Sequence, residues 1–267
     1  WRHCSANGHR LGCAQGSNVY PELFRIPFID YPISTFGVAM AVAFLVAFWI
    51  TMKGMEEKRI PTEELSAVFI YVLLGGVLGS KLYYAIDNWL LHGGPFLPLL
   101  LSRGGITWYG GPIGGTLAGA FGAKRVGINV KQLADCAAPA TAVGQAIGRI
   151  GCFLVGDDYG RVSDVPWAVA FPEGAPPTFE SVHPTQLYEV AWLLPVALFL
   201  WSRRRKSPFL FGEYMILNGA GRIVIENWRA NPTVALGMTE PQWIGIGLIA
   251  LGASGWIYFK RQLPQAS

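Results

Sequence analysis

Charge is scarce in this chain of 267 residues, and so are patterns that bind metals. Charged residues make up 14% of the sequence, whereas an ordinary soluble protein carries roughly 25%. The four cysteines, Cys4, Cys13, Cys136 and Cys152, form no CxxC pair and have no Cys/His spacing typical of zinc. We find no convincing internal repeat of the kind that many transporters carry. These absences argue against an ordinary soluble protein and against a zinc site.

Apolar residues are what the sequence has in excess, at 52%. Seven apolar stretches approach the length of about 20 residues that a helix needs to cross the hydrocarbon. They cover residues 33–52, 66–86, 105–123, 134–155, 184–201, 209–225 and 243–259. The pattern predicts an all-α integral membrane protein with seven transmembrane helices in a single domain over residues 19–263. Within it, residues 156–183 form a small extracytoplasmic elaboration, and the polar residues 1–18 are a disordered tail or a non-native extension.

The distribution of lysine and arginine predicts the orientation. The formal net charge of +4 comes from short basic clusters between the apolar stretches, which is a topology signal and not a nucleic-acid-binding stripe. The segments after stretches one, three, five and seven hold twelve of the 21 basic residues, and the opposite side holds six. Because basic residues concentrate on the cytoplasmic side, we expect the amino terminus outside and the carboxyl terminus in the cytoplasm.

Arg149 is the first candidate functional residue, because it lies inside the fourth apolar stretch. A cation at membrane depth must face the protein interior, a water-filled cavity or an anion. Its helical neighbours Gln145 and Cys152 are polar or small, so this face can open on a cavity. Two interpretations follow: an internal salt bridge to Glu189 or Glu226, or bidentate recognition of a phosphate.

Further polar residues fall on the same predicted outer side. Arg222, Glu226 and Arg229 are spaced i, i+4 and i+7, which predicts one helix face carrying either an ion-pair ladder or, with Arg149, a phosphodiester site. His183 opens the fifth stretch as a helix entrance or as an acid, base or hydrogen-bond donor. Tyr109 is either an aromatic residue of the membrane interface or a phenol facing a lipid headgroup.

From about residue 21 to residue 260 the chain resembles the prolipoprotein diacylglyceryl transferase family. The resemblance rests on Tyr109-Gly110-Gly111, on residues 148–153 with Gly156 and Gly160, on residues 183–189, and on Gly221-Arg222 with Glu226 and Arg229. It implies transfer of the diacylglyceryl group of phosphatidylglycerol to the thiol of the lipobox cysteine of a prolipoprotein, forming a thioether and releasing glycerol phosphate. It also implies a bacterial inner-membrane protein that works at the outer leaflet without a cofactor.

The resemblance also assigns roles to residues. It implies that Arg149 and Arg222 face the phosphate, and the implied catalytic set is Arg149, Arg222, Tyr109, Asp157 and Glu226. The implied substrate-binding set is Gly110, Gly111, Gly151, Cys152, Gly156, His183, Gln186, Glu189 and Arg229.

Several positions depart from the commoner family pattern. Tyr109 stands where some members have histidine, Asp157 where glutamate is common, Cys152 where many have asparagine, Phe36 where tyrosine is common, and Lys81 where arginine is usual. A phenol with a pKa near 10 is a poor base at neutral pH, which leaves Asp157, Glu226 or the phosphate as proton acceptor.

A transporter or anionic-lipid-binding protein that uses the same arginines without chemistry is the competing interpretation.

Overall fold

The computed structural model describes residues 22–26, 31–93, 95–102 and 110–262 of the chain. Within these residues the helices are α1 (Thr35–Glu57), α2 (Leu65–His92), α3 (Phe96–Leu101), α4 (Gly110–Arg125), α5 (Val130–Val155), α6 (Thr185–Arg203), α7 (Leu210–Ile225) and α8 (Glu240–Arg261). A short 3-10 helix covers Glu226–Trp228. Three antiparallel hairpins pair β1 (Glu22–Ile26) with β2 (Tyr31–Ser34), β3 (Val169–Phe171) with β4 (Thr178–Val182), and β5 (Thr233–Ala235) with β6 (Met238–Thr239).

Each of the seven predicted apolar stretches coincides with one helix, namely α1, α2, α4, α5, α6, α7 or α8. Among the described helices, α1, α2, α5 and α8 are long and apolar enough to cross a membrane. Helices α4 and α7 have 16 residues each, or about 24 Å at 1.5 Å per residue. The helical membrane character is confirmed, while α3 and the first hairpin were not predicted. The predicted tail and Tyr109 lie outside the described residues.

Glycines set the closest helix contacts. Helix α2 packs against α4, α1 against α5, and α7 against α8. A Cβ atom built on Gly114 of α4 would lie 2.8 Å from the Cα atom of Gly79 in α2, and one on Gly245 of α8 would lie 2.8 Å from the carbonyl oxygen of Gly219 in α7. Small residues at these positions let the backbones approach.

Ion pairs bring one set of helix ends together. Arg204, just after α6, donates from Nε to Glu57 Oε2 at 2.7 Å and from Nη2 to Glu57 Oε1 at 3.0 Å, which joins α6 to the end of α1. Near the start of α5, the Lys131 Nζ atom lies 5.1 Å from the ring centre of Phe259 at the end of α8. The carboxyl ends of α1, α6 and α8 therefore lie at the same end of the bundle. We call this end the basic end.

The β3–β4 hairpin covers the opposite end. Strand β3 (Val169–Phe171) lies within residues 156–183, which were predicted as a separate elaboration. Phe171 is fully buried, stacks on Tyr159 with ring centres 5.5 Å apart and meets Phe153 edge-on at 5.7 Å. Because Phe153 belongs to α5, these contacts hold the hairpin on the end of α5.

Candidate active site

The turn that follows α5 places two adjacent carboxylates. Helix α5 ends at Val155, and Gly156 caps it in the left-handed conformation with φ 69°. Asp158 is also left-handed, with φ 61°, a conformation in which aspartate is enriched among non-glycine residues. The chain therefore reverses direction within three residues, and the Asp158 carboxylate reaches back to Arg149, nine positions earlier in α5.

The first turn of α6 fixes that reversal. The Thr185 hydroxyl donates to the Asp158 carbonyl oxygen at 3.0 Å, and the Gln186 amide nitrogen donates to the Asp157 carbonyl oxygen at 2.5 Å. Both donors are fully buried. A Cβ atom on Gly160 would lie 2.7 Å from Thr185 Cγ2, so only glycine fits there. The motif that opens α6 thus anchors the backbone of the two aspartates.

Three arginines from separate segments converge on Glu189, one turn into α6. Glu189 Oε2 accepts from Arg149 Nε at 2.7 Å, and Oε1 accepts from Arg222 Nη1 and Arg229 Nη1 at 3.0 Å each. Asp158 forms ion pairs with Arg149 and Arg229 as well. We call these five residues the arginine cluster. The predicted Arg149–Glu189 salt bridge is present, and the two arginines expected to share a ligand lie on opposite oxygens of one carboxylate.

The three arginines of the cluster are largely buried, and three carboxylates balance their charges. The side chains of Arg149, Arg222 and Arg229 are 13%, 18% and 6% exposed. Buried charges are costly unless opposite charges accompany them. Glu189, Asp158 and Glu226 supply three carboxylates beside the three guanidinium groups. Planar guanidinium groups donate in pairs to carboxylates and phosphates alike, so the site is suited to a second oxyanion.

Glu226 contacts the arginine cluster through Arg229. Its Oε1 atom accepts from Asn231 Nδ2 at 2.7 Å and from Thr239 Oγ1 at 2.9 Å, and its Oε2 atom lies 3.7 Å from Arg229 Nε. The prediction that Arg222, Glu226 and Arg229 share one helix face is wrong. Helix α7 ends at Ile225, and Arg229 is extended at the end of the 3-10 turn. Sequence reasoning did not single out Asn231 or Thr239.

Asp157 differs from its neighbour. Burial raises the pKa of its carboxyl group, against the opposing effects of a hydrogen bond with the Cys152 thiol and the charges of Arg149 and Arg229. Within the described part of the chain, its buried Oδ1 atom has no hydrogen-bond partner. Sequence reasoning chose Asp157 and missed Asp158, although the adjacent carboxylates were visible.

The other predicted residues make hydrogen-bond and packing contacts of their own, and no contact of Gly110, Gly111 or Gly151 with the arginine cluster is seen among the described residues. His183 Nδ1 lies 2.9 Å from the Tyr188 hydroxyl of α6, and that hydroxyl accepts from Trp167 Nε1 at 2.7 Å, so Tyr188 links α6 to the segment between α5 and α6. Packing accounts for the predicted glycines. A Cβ atom on Gly111 would lie 3.0 Å from Ser80 Oγ of α2, one on Gly151 would lie 2.7 Å from Ala39 Cβ of α1, and one on Gly156 would lie 2.9 Å from Gly174 Cα. Gly110 is buried against the same turn of α2.

A small cleft between α6 and α7 borders the cluster. It is lined by Glu189 and Arg222 together with Trp192, Leu193, Asn218, Gly221 and Ile225. Among these lining residues, Trp192 is held in place by its indole Nε1, which donates to the Leu217 carbonyl oxygen at 3.0 Å. Two members of the cluster therefore line a gap between two apolar helices.

Comparison with known proteins gives a consistent result. The family model described as prolipoprotein diacylglyceryl transferase matches residues 21–258. A phosphatidylglycerol–prolipoprotein diacylglyceryl transferase of Idiomarina loihiensis is 32% identical over 257 residues, covering 91% of this chain and 94% of the relative. Proteins of the same name from Nostoc sp. and Shewanella sp. strain ANA-3 are 33% and 34% identical, covering 87% and 81% of this chain and 88% and 84% of the relatives.

Proposed function

The chain belongs to the prolipoprotein diacylglyceryl transferase family, and we propose that the arginine cluster is where it moves the diacylglyceryl group of phosphatidylglycerol onto a prolipoprotein cysteine. The thiol sulfur forms a thioether with the glyceryl carbon, and the carbon–oxygen bond to the phosphate breaks. Glycerol phosphate leaves with the bonding electron pair. The observation that carries this assignment is that Arg149 and Arg222, from different helices, meet at one buried carboxylate.

Arg149 and Arg222 stabilise the leaving phosphate. Negative charge grows on the phosphate oxygen as the bond to carbon breaks, and fixed cations in a water-poor site stabilise that charge at little reorganisation cost. Glu189 holds both guanidinium groups in place before substrate arrives. Arg229 and Glu226 support the same arrangement from the end of α7.

Asp157 takes the proton of the attacking thiol, because only the thiolate is an effective nucleophile. Its burial favours the protonated form, and its Oδ1 atom has no hydrogen-bond partner among the described residues. Glu226 is a poorer candidate, since its Oε1 atom already accepts two hydrogen bonds and its Oε2 atom forms an ion pair with Arg229 at 3.7 Å. The proton passes finally to the released phosphate, which balances the reaction.

The seven matching helices are the seven spans of this proposal. The basic end of the bundle faces the cytoplasm, in keeping with the positive-inside rule, and the arginine cluster therefore lies toward the outer leaflet of the bacterial inner membrane. The cleft beside Arg222 and Glu189 lies between α6 and α7, where the acyl chains of the lipid and the lipobox segment of the prolipoprotein approach from the bilayer.

One assay tests the function. Purified protein is incubated with phosphatidylglycerol and a lipobox peptide in detergent micelles, and the diacylglyceryl thioether is detected by mass. Arg149→Ala and Arg222→Ala are each expected to reduce product by about 100-fold or more while the protein stays folded.

The control variant is Arg125→Ala, an exposed arginine at the end of α4, which is expected to keep full activity. Absence of product from the wild type, under conditions where the Shewanella relative is active, would overturn the proposed function. Phosphatidylglycerol binding without product would favour an anionic-lipid-binding protein instead.

A further inference from the structure

Asp158 is the most accessible of the three carboxylates that pair with the arginines of the cluster. Its side chain is 36% exposed, against 7% for Glu189 and 1% for Glu226. It lies in the turn after α5 and not in a helix. Its carboxylate contacts Arg149 and Arg229, while Thr185 holds only its backbone oxygen. The carboxylate can therefore leave the arginines without any change in a helix.

A phosphate that binds Arg149 in bidentate fashion must use an edge of the guanidinium group that already donates to a carboxylate. The Nε atom of Arg149 donates to Glu189 and the Nη1 atom to Asp158. Glu189 is buried in α6 and shared by three arginines, so removing it would leave several buried cations unpaired, which is costly. Asp158 is the weaker competitor, because partly exposed ion pairs contribute little.

The net charge of the ion-paired groups also identifies Asp158 as the residue that a phosphate would replace. Three guanidinium groups and the carboxylates of Glu189, Glu226 and Asp158 sum to zero. When Asp158 withdraws into solvent, the ion-paired groups that remain carry one net positive charge, equal in magnitude to the single negative charge of a phosphodiester. Substrate and Asp158 are thus interchangeable as counter-ions.

We propose that Asp158 is a displaceable counter-ion that occupies Arg149 and Arg229 in the resting enzyme and gives way to the phosphate of phosphatidylglycerol. This inference rests on the proposed function, since it concerns the same phosphate site. It makes Asp158 a residue that sets substrate affinity through the arginines. A purely structural ion pair would have the opposite effect when removed, because the arginines would lose their positions.

The test is Asp158→Asn in the same peptide assay, with KM for phosphatidylglycerol measured separately from kcat. The KM is expected to fall about two- to fivefold, the range set by a partly exposed ion pair. Inhibition by inorganic phosphate is expected to become tighter by a similar factor. The control is Asp164→Asn, which removes an exposed carboxylate from the same outer segment and should change neither value.

A raised KM or weaker phosphate inhibition in a folded Asp158→Asn protein would overturn the inference while leaving the transferase assignment intact, because the wild type is assayed in parallel. If this variant does not fold, Asp158→Gly is the second variant. Glycine removes the carboxylate and adopts the left-handed conformation at residue 158 without strain. It must produce the same fall in KM.

Discussion

Asp157 and Asp158 have identical side chains and adjacent positions, yet they meet different surroundings. The left-handed backbone at Gly156 and Asp158 directs one carboxylate to the arginines and leaves the other buried near Cys152. The sequence shows the pair of carboxylates but not the φ angles that separate them. Residue type therefore predicted a carboxylate in this turn, and the backbone conformation gives the two aspartates different surroundings.

The raised pKa of Asp157 predicts how the free energy of unfolding depends on pH. Its pKa is raised by burial in the folded protein, so the folded state binds the proton more tightly than the unfolded state. This contribution to the free energy of unfolding is fully present below the unfolded pKa of about 3.9 and is lost as pH rises through the folded value. The Asp157→Asn substitution should remove this loss of stability at higher pH.

The measurement is thermal unfolding in detergent across pH 4 to 8. The stability of Asp157→Asn relative to wild type is expected to rise with pH, whereas Asp164→Asn, at an exposed site, should show no such trend. A difference that is flat or falls with pH would show that Asp157 is ionised in the folded protein without cost.

At the scale of elements, apolar length predicted the seven main helices and local contacts decided their ends. Helix α2 continues to His92, six residues past the predicted boundary. The helix face predicted to continue through Arg229 is interrupted after Ile225, where Asn231 and Thr239 bind Glu226 in a 3-10 turn. Such contacts join residues distant in sequence, and no period or composition reports them.

The contact between α2 and α4 makes a second stability prediction. A Cβ atom at Gly114 would lie 2.8 Å from the backbone of Gly79, and backbone cannot move aside as a side chain can. Gly114→Val is therefore expected to lower the free energy of unfolding by about 3 kcal/mol, at the upper end for overpacking, measured by unfolding in detergent.

Gly247→Ala is the matched control, because no atom lies within 4 Å of a Cβ atom built there. Alanine is also the better helix former, so this variant should unfold at the wild-type temperature or slightly above it. Equal destabilisation by both variants would show that glycine content as such, and not the α2–α4 contact, supports the fold.

At the scale of the whole molecule, the prediction concerns orientation. The basic end of the bundle should face the cytoplasm, which places the loop between α1 and α2 inside and the β3–β4 hairpin outside. Single cysteines at Glu63→Cys and Glu173→Cys, both exposed positions, report the two sides in a variant whose four native cysteines are alanine.

A membrane-impermeant maleimide added to intact spheroplasts is expected to label Glu173→Cys and to leave Glu63→Cys unlabelled until the membrane is opened. Thermal unfolding of both variants confirms that they are folded. The reverse labelling pattern would invert the orientation and place the arginine cluster at the inner leaflet.

The position of Asp158 also matters while the protein is being made. Arg149 is synthesised 40 positions before Glu189 and 73 positions before Arg222, so α5 enters the bilayer before its main partners exist. A lone arginine in a nascent helix is expensive to insert. Asp158 follows Arg149 by only nine positions and is the first carboxylate from the cluster to leave the ribosome. We therefore expect the carboxylate that we propose yields to substrate also to ease the insertion of α5 into the bilayer.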